Sequence, residues 1–167
     1  MNDSKVVTFF FKDDGVIPNN PNLPVVLYPN AFECKASRAE HIFNQHNWLN
    51  SWSNGVYEYH HYHSNAHEVL GIRRGAASMI IGGESGKVIE VKAGDVIVLP
   101  AGTGHKKLAS SPDFSVAGAY PAGMRYNLKT GKDGERPQVL HEIQLVPLPT
   151  QDPVYGGNGL LMALWTL

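Results

Sequence analysis

The stretch from Tyr59 to Glu68, YHHYHSNAHE, places four of the chain's eight histidines and one glutamate within ten positions. Imidazoles and carboxylates at close spacing are the donors that hold a first-row transition ion. In an extended chain, residues two apart share a face. Over 56–63 that rule puts Tyr57, Tyr59, His61 and His63 on one side, and His60 and Tyr62 on the other. His61 and His63 then project side by side, roughly 7 Å apart at the backbone, suited to chelating one ion. Glu68 follows a short turn, from which a returning strand would bring its carboxylate back towards the same ion. A third imidazole is available at His105, after a strand and a Gly/Pro turn. Three neutral imidazoles and a carboxylate suit Fe, Mn, Ni, Co or Zn, and the lack of a thiolate speaks against a purely structural zinc site. Four protein donors leave one or two positions for water or substrate on a five- or six-coordinate ion.

The same parity nominates further groups. Tyr57 and Tyr59 share the face of His61, and Lys107 shares that of His105. Tyr57 reads as barrel filling. Tyr59 and Lys107 are the candidate catalytic residues, the phenol to donate a hydrogen bond and the ammonium to anchor a carboxylate or phosphate; the competing reading has Tyr59 filling the barrel and Lys107 snorkelling at a strand end. His60 falls on the outer face. His67, opposite in parity to Glu68, reads as a packing residue or as a partner to a ligand's neighbour. Arg73 and Arg74, just before Gly75, read as a solvated strand end.

Short β-favouring runs separated by turns must position these groups: 6–11, 25–28, 56–63, 68–73, 78–81, 88–91, 96–99, 114–120 and 143–146. Gly82–Gly86 and Ala93-Gly94-Asp95 read as hairpin connections. Many short strands at close spacing predict an all-β sandwich or barrel. One helix interrupts it. Ser37-Arg38-Ala39-Glu40 has the form of a capping box, and Ala39, Ile42, Phe43, His46 and Leu49 then recur at helical spacing. His41 and His46 on that helix read as surface or packing residues, and Trp48 and Trp52 as cover for the barrel. The segment 121–137, rich in Gly, Lys and Arg, is a long loop of the kind that caps a pocket. The apolar tail, 159–167, is expected to pack on the barrel or across a subunit boundary.

Composition bounds the partners. The chain has 167 residues, 43% apolar, with a formal net charge of −1 and no basic stripe. Neither nucleic acid nor an anionic membrane is expected as a partner. The first apolar run spans only residues 6 to 11, too short for a signal segment or a membrane span, so a cytoplasmic location is the expectation. The single cysteine, Cys34, reads as a semi-buried small hydrophobe in a reducing compartment.

At this point a resemblance carries the argument further. Gly55-x5-His61-x-His63-x4-Glu68-x6-Gly75 resembles the first cupin motif at every fixed position, and Gly94-x5-Pro100-x-Gly102-x2-His105 resembles the second. One position departs: the second motif commonly ends in Asn where this chain has Ala109. The wider text, including NGVYEYHHYHSNAHEVLGIRRG and VPLPTQDPVYG, resembles the YjlB-like cupins from about residue 30 to the C-terminus.

The resemblance implies a cupin jelly-roll β-barrel (double-stranded β-helix) with a short N-terminal helix. It implies a single domain over 1–167: N-terminal strands and helix at 1–54, the motif core at 55–120, and a C-terminal loop and tail at 121–167. It also implies one divalent transition metal held by His61, His63, Glu68 and His105, and a homodimer. The expected function is a metalloenzyme, dioxygenase-like or isomerase-like, acting on a small polar molecule, an anionic one included. The alternative is a non-catalytic module that binds or senses a small ligand through the metal.

Overall fold

The computed structural model describes residues 5–167. Nine strands among them form two antiparallel sheets. The strands are β1 (Val7–Phe9), β2 (Val25–Tyr28), β3 (Trp48–Asn54), β4 (Glu68–Arg74), β5 (Ala76–Ile81), β6 (Lys87–Lys92), β7 (Val96–Leu99), β8 (His105–Ser110) and β9 (Ser115–Pro121). The larger sheet runs β1-β2-β7-β4-β9-β3 and the smaller β6-β5-β8. This is the all-β jelly roll that the cupin motifs imply.

Alternation shows which faces meet. In β5, Ala77, Met79 and Ile81 are buried while the residues between them are more open. They pack with Leu70, Ile72, Ile97, Leu99 and Val116 of the larger sheet in one core cluster. The other face of the larger sheet is covered as well, so β2, β4, β7 and β9 carry near-continuous apolar runs. Val26, Tyr28, Val69, Val98 and Ala119 lie there under α1 (Ala39–Gln45), Trp48 and the C-terminal Leu161 and Trp165. Gly71 of β4 permits that cover. A Cβ at this position would stand 2.8 Å from the Phe43 ring and 2.9 Å from the Ala39 methyl.

The tail is fastened by one buried carboxylate. Asp152 accepts hydrogen bonds from the Tyr28 hydroxyl (2.5 Å) and from the backbone N–H of Val154, Tyr155 and Leu161 (2.7, 3.0 and 3.1 Å). Trp165 Nε1 donates to the Pro24 carbonyl at 2.8 Å. The tail, including α3 (Leu161–Leu164), therefore packs on its own barrel.

Several local expectations are corrected. The helix begins at Ala39 after a 3-10 turn over Ala36–Arg38, and no side chain caps it. The Glu40 carboxylate instead accepts from the Ser51 and Ser53 hydroxyls of β3. Helical spacing does not continue to Leu49, because Asn47 (φ 62°) turns the chain into β3. Residues 143–146 are not a strand: Val139 and Ile143 are the buried face of α2 (Gln138–Leu145). Ala93-Gly94-Asp95 joins β6 to β7, which lie in different sheets, so it is no hairpin. Cys34 is exposed, at φ 63° in a turn.

Candidate metal centre

Residues 56–63 form no ladder; the chain bends at Glu58 and Tyr59 and runs extended over 60–63, which corrects the strand expected there. The backbone of His61 exchanges two hydrogen bonds with His105 (3.2 and 3.0 Å), whereas Tyr62 exchanges two with Lys129 (both 2.9 Å). His63 O then accepts from Gly102 N at 2.8 Å. Partners change at each residue, but the chain stays extended over 60–63, so the side-chain parity survives there. His61 and His63 point inward. Tyr62 points the other way and donates to Glu135 at 2.5 Å.

Glu68 opens β4 opposite Leu99, and His105 opens β8. The donor atoms of His63, Glu68 and His105 lie within 4.8 Å of one another, and all three residues are buried. His63 Nε2 is 3.2 Å from Glu68 Oε2, and His105 Nε2 is 3.2 Å from Glu68 Oε1. His61 borders this group, its ring centroid 4.0 Å from that of His105 and 6.2 Å from that of His63.

Each imidazole is oriented from behind. Nδ1 of His61, His63 and His105 donates to the carbonyls of Tyr59 (2.9 Å), Asn127 and Thr103 (3.1 Å) respectively. The Nε2 atoms are thereby left for the centre. Glu68 is 2% exposed. Its Oε2 accepts from the Tyr120 hydroxyl at 2.6 Å, and that hydroxyl accepts from Trp52 Nε1 at 2.8 Å. Among the described residues Glu68 Oε1 has no hydrogen bond of acceptable geometry, although His105 Nε2 stands 3.2 Å from it. A buried carboxylate oxygen without a donor is costly, and a cation among these Nε2 atoms would satisfy it. The donor set and the orphan oxygen together fit a divalent transition ion.

The electrostatics follow from burial and proximity. Burial pushes His61 down to about 3, helped by His105. Burial also works to lower His63, but the Glu68 charge, the hydrogen bond to it and the Asn127 carbonyl outweigh that and raise it. Burial alone would raise Glu68; His63 and His105 hold it well below the carboxylate range. The Tyr120 phenol is pushed up by burial and by Glu68.

His61, His63, Glu68 and His105 all line one cavity of about 450 Å³. Trp52, Val56, Tyr57, Leu70, Tyr126 and Leu128 are among its other walls. The loop after β9 therefore does cap the pocket, through Tyr126 and Leu128. It is tied to the histidine segment where Asn127 Oδ1 accepts from Ser64 N and Asn127 N donates to Asn65 Oδ1, both at 2.9 Å.

The remaining expectations divide. Tyr57 does not fill the barrel; it is half-exposed on the cavity wall, stacked on Tyr59. Tyr59 and Lys107 are not on that wall. Lys107 Nζ lies 3.7 Å from Glu58. His60 faces outward to Glu84 at 2.8 Å. His67 packs on Trp165, its Nδ1 accepting from Ala101 N, and burial pushes it down to about 4 against the Pro147 carbonyl. His46 Nδ1 meets the Pro153 carbonyl, a packing role. Trp48 is core, while Trp52 reaches the cavity. Neither Tyr120 nor Tyr126 stands out in the sequence as a site residue. Tyr120 ends a run whose parity was readable, but nothing in the loop text singles out Tyr126.

Comparison with known proteins gives three findings. Residues 47–123 match the family model described as Cupin. The chain is 51% identical over 158 residues to the uncharacterized protein YjlB of Bacillus subtilis (strain 168), covering 95% of each. Among solved structures it is similar to a DUF861 family protein of Thermotoga maritima, at 25% identity over 44% of this chain and 75% of that one, with a TM-score of 0.30. It is also similar to an acireductone dioxygenase of Bacillus anthracis with a cadmium ion in its active centre, at 14% identity over 74% and 81%, with a TM-score of 0.40. With the family model matched over residues 47–123 and half of all positions shared with YjlB along nearly the whole length, the chain belongs to the cupin family, in the group typified by YjlB.

Proposed function

We propose that the chain is a metal-dependent cupin in which His61, His63, Glu68 and His105 hold one divalent transition ion, and that it acts as an enzyme, dioxygenase-like or isomerase-like, on a small molecule entering the adjoining cavity. The observation that carries this reading is the buried carboxylate with an unbonded Oε1 facing oriented imidazoles at an accessible cavity. When bound, such an ion supplies Lewis-acid or redox chemistry at positions the protein leaves open. The chain's own part is positioning. Three carbonyls aim the imidazoles, Tyr120 holds Glu68 Oε2, and the apolar walls thin out the water.

One observation favours the non-catalytic alternative. Outside the four proposed ligands, the cavity wall carries no free carboxylate, imidazole or amine among the described residues. Any proton transfer would fall to a tyrosine or to the ligand itself. Elemental analysis of untagged protein tests the metal, with about one equivalent per chain expected. His63→Ala should cost well over tenfold in metal affinity, since removal of supporting partners alone costs about that much. Metal content unchanged in His63→Ala would sink the assignment. Turnover lost with the metal would separate enzyme from binder.

A further inference from the structure

We propose that the cavity selects a flat aromatic ligand, in preference to a small inorganic or aliphatic anion, that approaches the centre through an oxygen donor. The oxygen contact rests on the metal reading above; the aromatic slot rests on the walls alone.

The walls lack charge. Among the described residues no Lys, Arg or Asp lines it, and the only carboxylate there is Glu68. Lys107, the cation that would have favoured an anion, sits beside Glu58 off the wall. No cationic side chain is fixed on the wall, so the bound ion itself would be the one positive partner for an entering anion, with nothing on the wall to hold the rest of it. Several wall polar groups are already engaged: Trp52 Nε1 and the Tyr120 hydroxyl in the chain to Glu68, and the Ser53 hydroxyl on Glu40. The phenols of Tyr57 and Tyr126 and the side-chain amide nitrogen of Asn54 have no hydrogen-bond partner among the described residues, so they are wall donors left to orient a ligand.

The aromatic groups are arranged in pairs. Tyr57 and Tyr59 stack with centroids 4.9 Å apart and planes 19° apart, both tilted or edge-on to His61 at 5.2 and 5.7 Å. Tyr120 and Tyr126 stack at 4.2 Å and 18°, both edge-on to His63 at 6.0 and 5.1 Å. One stacked pair flanks each of two neighbouring imidazoles, and each contributes a half-exposed ring to the cavity wall. Val56, Leu70, Leu128 and the Trp52 indole complete an apolar surround. A volume of about 450 Å³ belongs to the range of ligands with an organic body rather than of a bare inorganic anion. Flat rings meeting flat rings gain more than their buried area alone provides.

The test uses the full chain, cobalt-loaded and chelator-stripped, with 2,3-dihydroxynaphthalene kept uncharged at mildly acidic pH, and with phosphate and succinate as anions. The diol should shift the cobalt spectrum and quench the fluorescence of Trp52, a signal assigned by its loss in Trp52→Phe. Phosphate and succinate at equal concentration should do neither. Tyr57→Ala and Tyr126→Ala, changes at half-exposed positions that the fold tolerates, should each weaken diol binding roughly fivefold to tenfold with metal content unchanged. Lys107→Ala should alter neither readout. An anion response that exceeds the diol's, or one that disappears in Lys107→Ala, would overturn the proposal, as would Tyr→Ala variants binding the diol like wild type. Failed cobalt uptake with Trp52 still quenched would refute the metal reading and leave the slot standing. Cobalt bound without quenching would refute the slot alone.

Discussion

Tyr120→Phe removes a single oxygen and thereby tests whether the carboxylate is held for a purpose. In the wild type that oxygen donates to Glu68 Oε2 at 2.6 Å and accepts from Trp52 Nε1 at 2.8 Å. The first bond is buried and charge-assisted, of the class worth about 1.5–3 kcal/mol. The second is partly exposed, and water replaces it at small cost. Chelator-stripped Tyr120→Phe should therefore lose about 2 kcal/mol of stability, a fall of roughly 4–8 °C in Tm for a domain of this size. Metal affinity should fall separately, because an unheld Glu68 turns away from the geometry that leaves Oε1 free. Loss of such a supporting partner costs about 10- to 100-fold. Competition for cobalt against a chromophoric chelator reads the affinity, and a thermal melt of the stripped protein reads the stability. Tyr126→Phe is the control, since its hydroxyl makes no hydrogen bond among the described residues, and it should hold cobalt within twofold of wild type. Tyr120→Phe binding cobalt within twofold would refute the reasoning that this phenol positions Glu68.

Two further predictions concern the frame around the site. Asp152→Ala leaves the buried Tyr28 hydroxyl and three backbone donors without their acceptor, so urea unfolding should show a loss of about 3 kcal/mol or more, with hydrogen exchange accelerated in the tail first. Glu135 contributes to the acid limb. Burial would raise its carboxyl, but the Tyr62 hydroxyl and the Thr130 and Gly131 N–H groups hold it below its ordinary value of 4.5. The unfolded chain therefore takes up that proton first. The stabilisation is complete above about 4.5 and disappears as pH falls through the lower folded value. The stability gap between wild type and Glu135→Gln, measured in urea across that window, should narrow towards acid; a gap that widens would contradict the assignment.

The sequence was most readable where one physical rule acted alone. Val25–Tyr28 and Val96–Leu99 are unbroken apolar runs covered on both faces, and their bounds match the strands. Parity placed His61 and His63 together and sent His60 outward although no ladder formed, because parity needs only an extended chain. Reading failed where two rules overlapped. Apolar spacing through Leu49 extended the helix past Asn47, and only the tolerance of Asn for the left-handed region marks the break. Ile143 and Val146 suggested a strand by their branching, yet Val139 and Ile143 stand four apart on one helical face. Tyr126 and Asn127 reach the site from a loop whose path is set by contacts with Ser64 and Asn65, which no local pattern reveals.

The support behind the imidazoles has a consequence for how the site tolerates change. All three rings are aimed by main-chain oxygens, at positions 59, 103 and 127. Every amino acid carries that oxygen, so side-chain replacements at positions 59 and 103 leave the acceptor in place so long as the backbone path holds. Asn127 differs, because its side chain also fastens the loop that presents its carbonyl. Glu68 has the opposite arrangement, because the hydroxyl that holds its Oε2 from behind is a side-chain group that Tyr120 supplies. A substitution scan would thus pass silently over most of what orients the nitrogen donors and register sharply at the group that orients the oxygen donor. Sensitivity at this centre reports which supports are carried by side chains, not which supports matter.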